Sequence, residues 1–251
     1  EIYTLSLHDA LPISIVVFIL TLIPPSTNAA DPPPTTSAPG TAPKRLADCA
    51  TTFAASPELI KHQAAVSDQY RDAHRLATGM GVTIGIIDTG VAPHPRLPPI
   101  TDGGDFLEPK AGATIDCDAH GTIVAGVIAA HDTGDGIVGV APDAAIMSFR
   151  QTSSQSQKTD TGGTLATLIT AINAAIDKKV QVINISVVSC LPPGAPPIDT
   201  REFDAAIQRA EERGIIIVAA AGNMGNNCQQ GSVVYPAQTM EIGRASCRER
   251  V

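Results

Sequence analysis

Residues 82–90 read VTIGIIDTG, an almost unbroken apolar run that ends in a carboxylate. The run is short and rich in β-branched residues, which favours a strand. A strand that is apolar throughout is typical of a parallel sheet covered on both faces. The stretch therefore predicts an inner strand of such a sheet, with Asp88 at its carboxyl end.

Segments of helical and strand character alternate along the rest of the chain. Helical patterns cover residues 56–78, 121–130, 164–178 and 203–213, the first beginning at Ser56-Pro57. Short apolar runs cover residues 145–149, 180–186 and 214–221. This alternation predicts an α/β fold, in which helices lie on both faces of a parallel β-sheet.

Composition narrows the classes of function. The 251 residues are 43% hydrophobic, which is enough for a sizeable core. Lys and Arg number 17 against 25 Asp and Glu, a formal net charge of −8, and only 3% of residues are aromatic. Nucleic-acid phosphates require clustered basic side chains, and single strands require aromatic platforms. We therefore expect no nucleic-acid partner.

The two ends of the chain do not continue the neighbouring patterns. Residues 1–13 (EIYTLSLHDALPI) and 241–251 (EIGRASCRERV) resemble translations of sequencing-adapter DNA. We expect both to be foreign to the fold, the alternative being that they are ordinary termini. On this interpretation the protein begins before residue 14 and continues past residue 240, so that the chain is a fragment.

Residues 14–30 have the character of a partial signal peptide. A largely apolar stretch of nine residues, IVVFILTLI at 15–23, is too short to span a bilayer, which takes about 20 in a helix. They suit the apolar centre of a secretory signal, followed by small residues for cleavage, although a buried strand is the alternative. Residues 31–55 form a Pro-rich extension that can be neither helix nor ladder at its start.

Four cysteines remain once Cys247 is set aside with the C-terminal end. They are Cys49, Cys117, Cys190 and Cys228. An even number in an exported chain predicts disulfides, and four cysteines allow three pairings. Metal binding is the alternative, but no Cys-x-x-Cys pair occurs in the sequence.

Three polar residues lie where strands end or helices begin. Asp88 ends one strand, Asn223 follows another, and His120 opens a helix. Ligand sites of open parallel sheets lie at the carboxyl ends of the strands. A carboxylate there is costly without a partner, and an amide can donate to a developing oxyanion. Taken singly, each also fits an ordinary turn or core position.

Five motifs, in order, resemble the subtilisin-like serine proteases (peptidase family S8). They are IIDTGVAPHPRL (86–97), HGTIVAGVIAA (120–130), DGIVGVAP (135–142), VINIS (182–186) and GIIIVAAAGNMG (214–225). The signal segment, the Pro-rich extension, Cys49 and Asp-Cys-Asp at 116–118 further resemble the mycosins of type VII secretion systems. Residues 56–240 are thus expected to be an incomplete subtilase catalytic domain.

The resemblance implies roles for specific residues. His120 would be the general base and Asp88 its orienting carboxylate, while Asn223 would bind the oxyanion. The substrate groove would be lined by Ser186, Val187, Val188 and Ser189, pairing with an extended peptide. The implied disulfides are Cys49–Cys117 and Cys190–Cys228. No cofactor and no metal is implied.

The sequence departs from the family pattern at two places. The Gly-Thr-Ser motif of the nucleophile does not occur, so the chain alone is expected to be inactive. Val187 and Val188 replace a glycine pair usual in the groove, which indicates a bulkier first subsite.

The resemblance implies that the parent protein is an exported serine endopeptidase with a polypeptide substrate. It would be anchored in the membrane through a missing C-terminal segment, with subunits of a secretion complex as possible partners. The alternative is a non-catalytic structural subunit of that complex. A small-molecule binder is disfavoured because no phosphate-loop motif is present.

Overall fold

The computed structural model describes residues 49–50, 55–108, 111–153, 163–222 and 228–237. The two expected foreign ends, the signal segment and most of the Pro-rich extension lie outside these residues. Asn223 does so as well. The predictions about them stay predictions.

The described residues form five helices and seven strands. The helices are α1 (Pro57–Asp68), α2 (Arg71–His74), α3 (His120–Ala129), α4 (Leu165–Asp177) and α5 (Arg201–Glu212). The strands are β1 (Thr83–Asp88), β2 (Ile100–Asp105), β3 (Ala145–Arg150), β4 (Val182–Ile185), β5 (Ser189–Leu191), β6 (Ile216–Ala219) and β7 (Val233–Tyr235).

Five strands form one parallel sheet in the order β2-β3-β1-β4-β6. The central strand β1 is buried over five of its six residues, and β4 over all four. This burial on both faces explains why the two strands are continuous apolar runs. The predicted α/β fold with a parallel sheet is confirmed.

Each face of the sheet has its own hydrophobic core. On one face, Phe149 and Ile185 pack with α4 and α5, whose fully buried side chains include Ile172 and Phe203. On the other, the alternate residues of β1 and β3 pack against Val124, Ala125 and their neighbours on α3. Helices therefore cover both faces, and α3 alone carries a predicted site residue, His120.

The single helix predicted over residues 56–78 is wrong. The structure has two helices there, because α1 ends at Asp68 and α2 begins at Arg71. Ser67 at the end of α1 is buried, its Oγ donating to the carbonyl of Val138 and accepting from the Val138 N–H, both at 3.0 Å. This contact with a distant loop fixes the end of α1, and no local pattern could indicate it.

Strand β2 was not predicted, because its sequence ITDGGD has no apolar run. A Cβ at Gly103 would lie 2.6 Å from the carbonyl oxygen of Ser148 and 2.7 Å from the ring of Phe149. The strand therefore needs glycine to approach β3, and its partner rather than its own pattern makes it a strand.

A small antiparallel pair, β5 and β7, lies outside the main sheet and was also not predicted. Cys190 in β5 forms a disulfide with Cys228, with Cα atoms 5.3 Å apart, and Cys49 forms one with Cys117, at 4.4 Å. These are the pairings that the resemblance implies. Among the described residues, no helix is both long enough and apolar enough to cross a membrane.

Candidate active site

Asp88 lies at the carboxyl end of β1, and its side chain is fully buried. Its Oδ1 accepts a hydrogen bond from the backbone N–H of Thr89 at 2.7 Å and a second from Nδ1 of His120 at 2.6 Å. Within the described part of the chain, its Oδ2 is buried and has no hydrogen-bond partner. The predicted contact between the carboxylate and the imidazole is therefore present.

His120 is the first residue of α3, and the residue before it, Ala119, has a left-handed backbone (φ 63°). The His120 side chain is 35% exposed, so the ring bridges the buried carboxylate and the surface. With Nδ1–H donating to Asp88, the lone pair of the neutral ring is on Nε2. The arrangement thus presents a basic nitrogen that a carboxylate orients.

Two glycines allow the end of β1 to approach the start of α3. A Cβ at Gly121 would lie 2.1 Å from the carbonyl oxygen of Gly90 and 3.0 Å from Cβ of Asp88. A Cβ at Gly90 would lie 2.1 Å from the carbonyl oxygen of Ile115, and the φ of Gly90 is +107°. Any side chain at either position would push His120 away from Asp88.

The surroundings of His120 favour its charged form. The hydrogen bond to Asp88 raises the pKa of His120 above its usual 6.5, and burial opposes this increase. The charges of Asp88, Asp116 and Asp118 raise the pKa further. The site is therefore built to stabilise an imidazolium, the form that a general base adopts after taking a proton.

The predicted groove segment follows β4, next to β1 in the sheet. Ser186 is half-buried and its Oγ accepts a hydrogen bond from Nδ2 of Asn184 at 2.7 Å. Val187 is half-buried and packs against the core, whereas Val188 and Ser189 are exposed. Ser189 belongs to β5 and pairs with Tyr235 of β7, so one backbone edge of β5 already pairs with another strand of this chain. The groove role stays a prediction.

Three residues around the pair were not predicted to matter. Asp116 accepts hydrogen bonds from Thr89 and from Thr122, so it joins the segment after Asp88 to the first turn of α3. The signal in the sequence was the Asp-Cys-Asp at 116–118, which places a carboxylate four positions before His120. Among the described residues, no group of three or more His, Cys, Asp or Glu side chains could hold a metal ion.

Comparisons with known proteins show the family of this chain. The family model described as Subtilase family (Peptidase_S8) matches residues 79–242. Mycosin-1 of Mycobacterium tuberculosis is 42% identical over 180 residues, which are 66% of this chain and 40% of that protein. The chain spans between 35% and 51% of the lengths of four mycosins that it matches.

Solved structures have the same fold. A crystal structure of MycP1 with its N-terminal propeptide removed superposes with a TM-score of 0.62 at 34% identity, covering 70% of this chain and 59% of that one. A chain in the periplasmic assembly of an ESX-5 inner membrane complex has a TM-score of 0.63 at 29% identity, covering 82% and 64%.

Proposed function

Because this chain belongs to the subtilase family of serine peptidases, we propose that the protein carrying it hydrolyses peptide bonds with Asp88 and His120 as catalytic residues. The observation that supports this most directly is the 2.6 Å contact between Nδ1 of His120 and Oδ1 of Asp88. It joins two residues that are 32 positions apart in sequence, at the edge of the sheet where such sites lie.

The reaction proceeds by acyl transfer. His120 accepts at Nε2 the proton of a serine hydroxyl as that oxygen attacks the peptide carbonyl, and then returns the proton to the leaving amine. Asp88 holds the ring in the required tautomer and stabilises the imidazolium between these steps. Asn223 donates from its amide to the oxyanion of the tetrahedral intermediate, a contribution of about 3–4 kcal/mol to lowering the barrier.

The nucleophile is proposed to lie in sequence beyond these 251 residues. No Gly-Thr-Ser motif occurs in them, and the chain spans at most about half of the mycosins it matches. The chain alone is accordingly proposed to be inactive, and activity belongs to the longer protein. The polypeptide substrate would lie along Ser186, Val187, Val188 and Ser189, with the two valines forming a bulky subsite wall.

The test compares the longer protein with its Asp88→Asn variant on a fluorogenic peptide library. Loss of the orienting carboxylate is expected to lower kcat about 10⁴-fold, because the imidazole loses its tautomer and its counter-charge. A matched control is Asp102→Asn, which changes an exposed carboxylate on β2, two strands away from β1 in the sheet. A wild-type rate equal to that of Asp88→Asn would refute the proposed peptidase.

A structural role in a secretion complex is the second candidate. The similarity to a chain of an ESX-5 periplasmic assembly favours it. If the role is only structural, a strain carrying Asp88→Asn would secrete its substrates as the wild type does and keep its complex intact. If cleavage is required, the complex would assemble but the processed substrate would be lost.

An exported location is part of the proposal. The two disulfides fit an oxidising, extracytoplasmic compartment, and the matched ESX-5 chain comes from a periplasmic assembly. Residues 14–30 would act as the export signal, with a C-terminal anchor in the longer protein. Fusing the N-terminal segment of the longer protein, through residue 55, to a periplasmically active reporter tests the signal, and an inactive fusion would contradict it.

A further inference from the structure

The first turn of α3 has no cap of its own. Its N-cap residue Ala119 makes no side-chain hydrogen bond, although the first N–H groups of any helix need partners. The N–H of Gly121 donates instead to Oγ1 of Thr89 at 2.9 Å, and the N–H of Thr122 donates to Oδ2 of Asp116 at 2.8 Å. Two N–H groups in the first turn of the helix that carries His120 are therefore capped by side chains from outside the helix.

Asp116 uses both carboxylate oxygens in this arrangement. Oδ1 accepts from the hydroxyl of Thr89 at 2.8 Å, and Oδ2 accepts from the hydroxyl of Thr122 at 2.6 Å as well as from its N–H. Thr89 follows Asp88 directly, and Thr122 lies two residues after His120. One half-buried carboxylate thus contacts the neighbours of both members of the pair, and its charge also suits a helix N-terminus.

We propose that Asp116 is a positioning residue that, together with Thr89 and Thr122, locks the end of β1 to the first turn of α3 and so holds His120 on Asp88. The effect of Asp116 on the rate of catalysis rests on the proposed peptidase function, whereas its effect on the position of His120 relative to Asp88 does not. Because chain connectivity between Asp88 and His120 runs through 32 positions, side-chain contacts rather than the backbone between them set their separation.

The segment that carries Asp116 is itself anchored. The next residue, Cys117, is bonded to Cys49, and the N–H of Ala50 donates to the Cys117 carbonyl at 2.7 Å. Asp118, in contrast, accepts a hydrogen bond at Oδ2 from the hydroxyl of Ser153 at 2.7 Å. The two acids next to Cys117 therefore separate a charge effect on His120 from a hydrogen-bonding effect.

The test uses NMR of the 251-residue chain, following the low-field Nδ1–H resonance of His120, which a His120→Gln variant assigns. Thr89→Val keeps the charge of Asp116 and the approximate side-chain volume but removes two hydrogen bonds, and it is expected to broaden or abolish the resonance. Thr89→Ser restores the hydroxyl and is expected to restore the signal. Asp118→Asn is the charge control and is expected to retain it.

Several outcomes would overturn the positioning role. These are an unchanged resonance in Thr89→Val and Asp116→Asn, or an equal loss in Asp118→Asn. If Thr89→Val does not fold, Thr122→Val against Thr122→Ser provides the same comparison. A wild-type chain without the resonance would instead contradict the Asp88–His120 contact and, with it, the proposed function.

In the longer protein, Asp116→Asn is expected to lower kcat about 100-fold with KM little changed, because displacing a reacting group by about 1 Å costs that much. If kcat falls by this amount while NMR still shows the Nδ1–H resonance of His120, Asp116 acts by another route and the proposal is overturned. A loss seen only in KM would also overturn it.

Discussion

Replacing Asp88 by asparagine should remove one pH-dependent contribution to the stability of the chain. The folded state raises the pKa of His120, mainly through the hydrogen bond to Asp88. A raised pKa stabilises the fold fully below the unfolded-state pKa of about 6.5, and this contribution is lost as the pH rises through the folded-state pKa. Asparagine has no charge to favour the imidazolium, so the variant should lack the effect.

The hydrogen bond between Asp88 and His120 sets the size of this pH-dependent contribution to stability. A hydrogen bond between charged groups contributes about 1.5–3 kcal/mol. Because the His120 side chain is 35% exposed, solvent screening favours the lower end, about 1.5 kcal/mol, or roughly tenfold in the folding equilibrium. Any pH-independent cost of the buried amide cancels when each protein is compared with itself at two pH values.

The assay is urea unfolding of the wild type and of Asp88→Asn at about pH 5.5 and about pH 8.5, which lie below and above the ordinary histidine pKa of about 6.5. The wild type should gain about 1.5 kcal/mol more than the variant on going to the lower pH. His120→Gln should behave like Asp88→Asn, whereas a change at the exposed His62 should retain the wild-type difference. A difference below about 0.3 kcal/mol, which is within ordinary non-additivity, would refute the reasoning.

Three further results are expected. Gly121→Ala should destabilise the chain by about 1–3 kcal/mol in thermal unfolding, because the new Cβ would lie 2.1 Å from the Gly90 carbonyl oxygen. Gly126→Ala in the same helix has open space around its Cβ and should stabilise the chain by about 0.5–1 kcal/mol. Equal effects of the two substitutions would contradict the packing of Gly121. Serine at both Cys49 and Cys117 should cost about 4 kcal/mol in urea unfolding, because the bond closes 68 residues, and a loss below about 1 kcal/mol would contradict this. In the longer protein, kcat/KM should rise with pH to a midpoint above 6.5 as His120 loses its proton, and a midpoint below 6.5 would contradict the site.

The inner strands and the site pair could be predicted because their signals are local. Residues 82–87 form an apolar run because β1 is covered on both faces, and Asp88 interrupts the run where the strand ends. The pairing of Asp88 with His120 needed the rule about strand ends and the resemblance together. Both residues are single polar residues at the ends of predicted elements, so few other pairings of polar residues at the sheet edge were available.

The missed features depend on contacts between distant segments. Strand β2 has no strand pattern of its own, and Gly103 is explained only by the ring of Phe149 beside it. The end of α1 depends on Ser67 meeting Val138, 71 residues away. The sequence gives no sign that Asp116 accepts hydrogen bonds from the hydroxyls of Thr89 and Thr122, because these contacts form only in the folded chain. Such partners are set by tertiary structure, which one sequence does not display.

Because side chains from outside α3 cap its first turn, the contact between His120 and Asp88 exists only in an assembled domain. In a partly folded chain, His120 is an ordinary histidine in water, because the strand end and the loop that secure its helix have not yet met it. Folding of these segments and formation of the Asp88–His120 contact are therefore the same event.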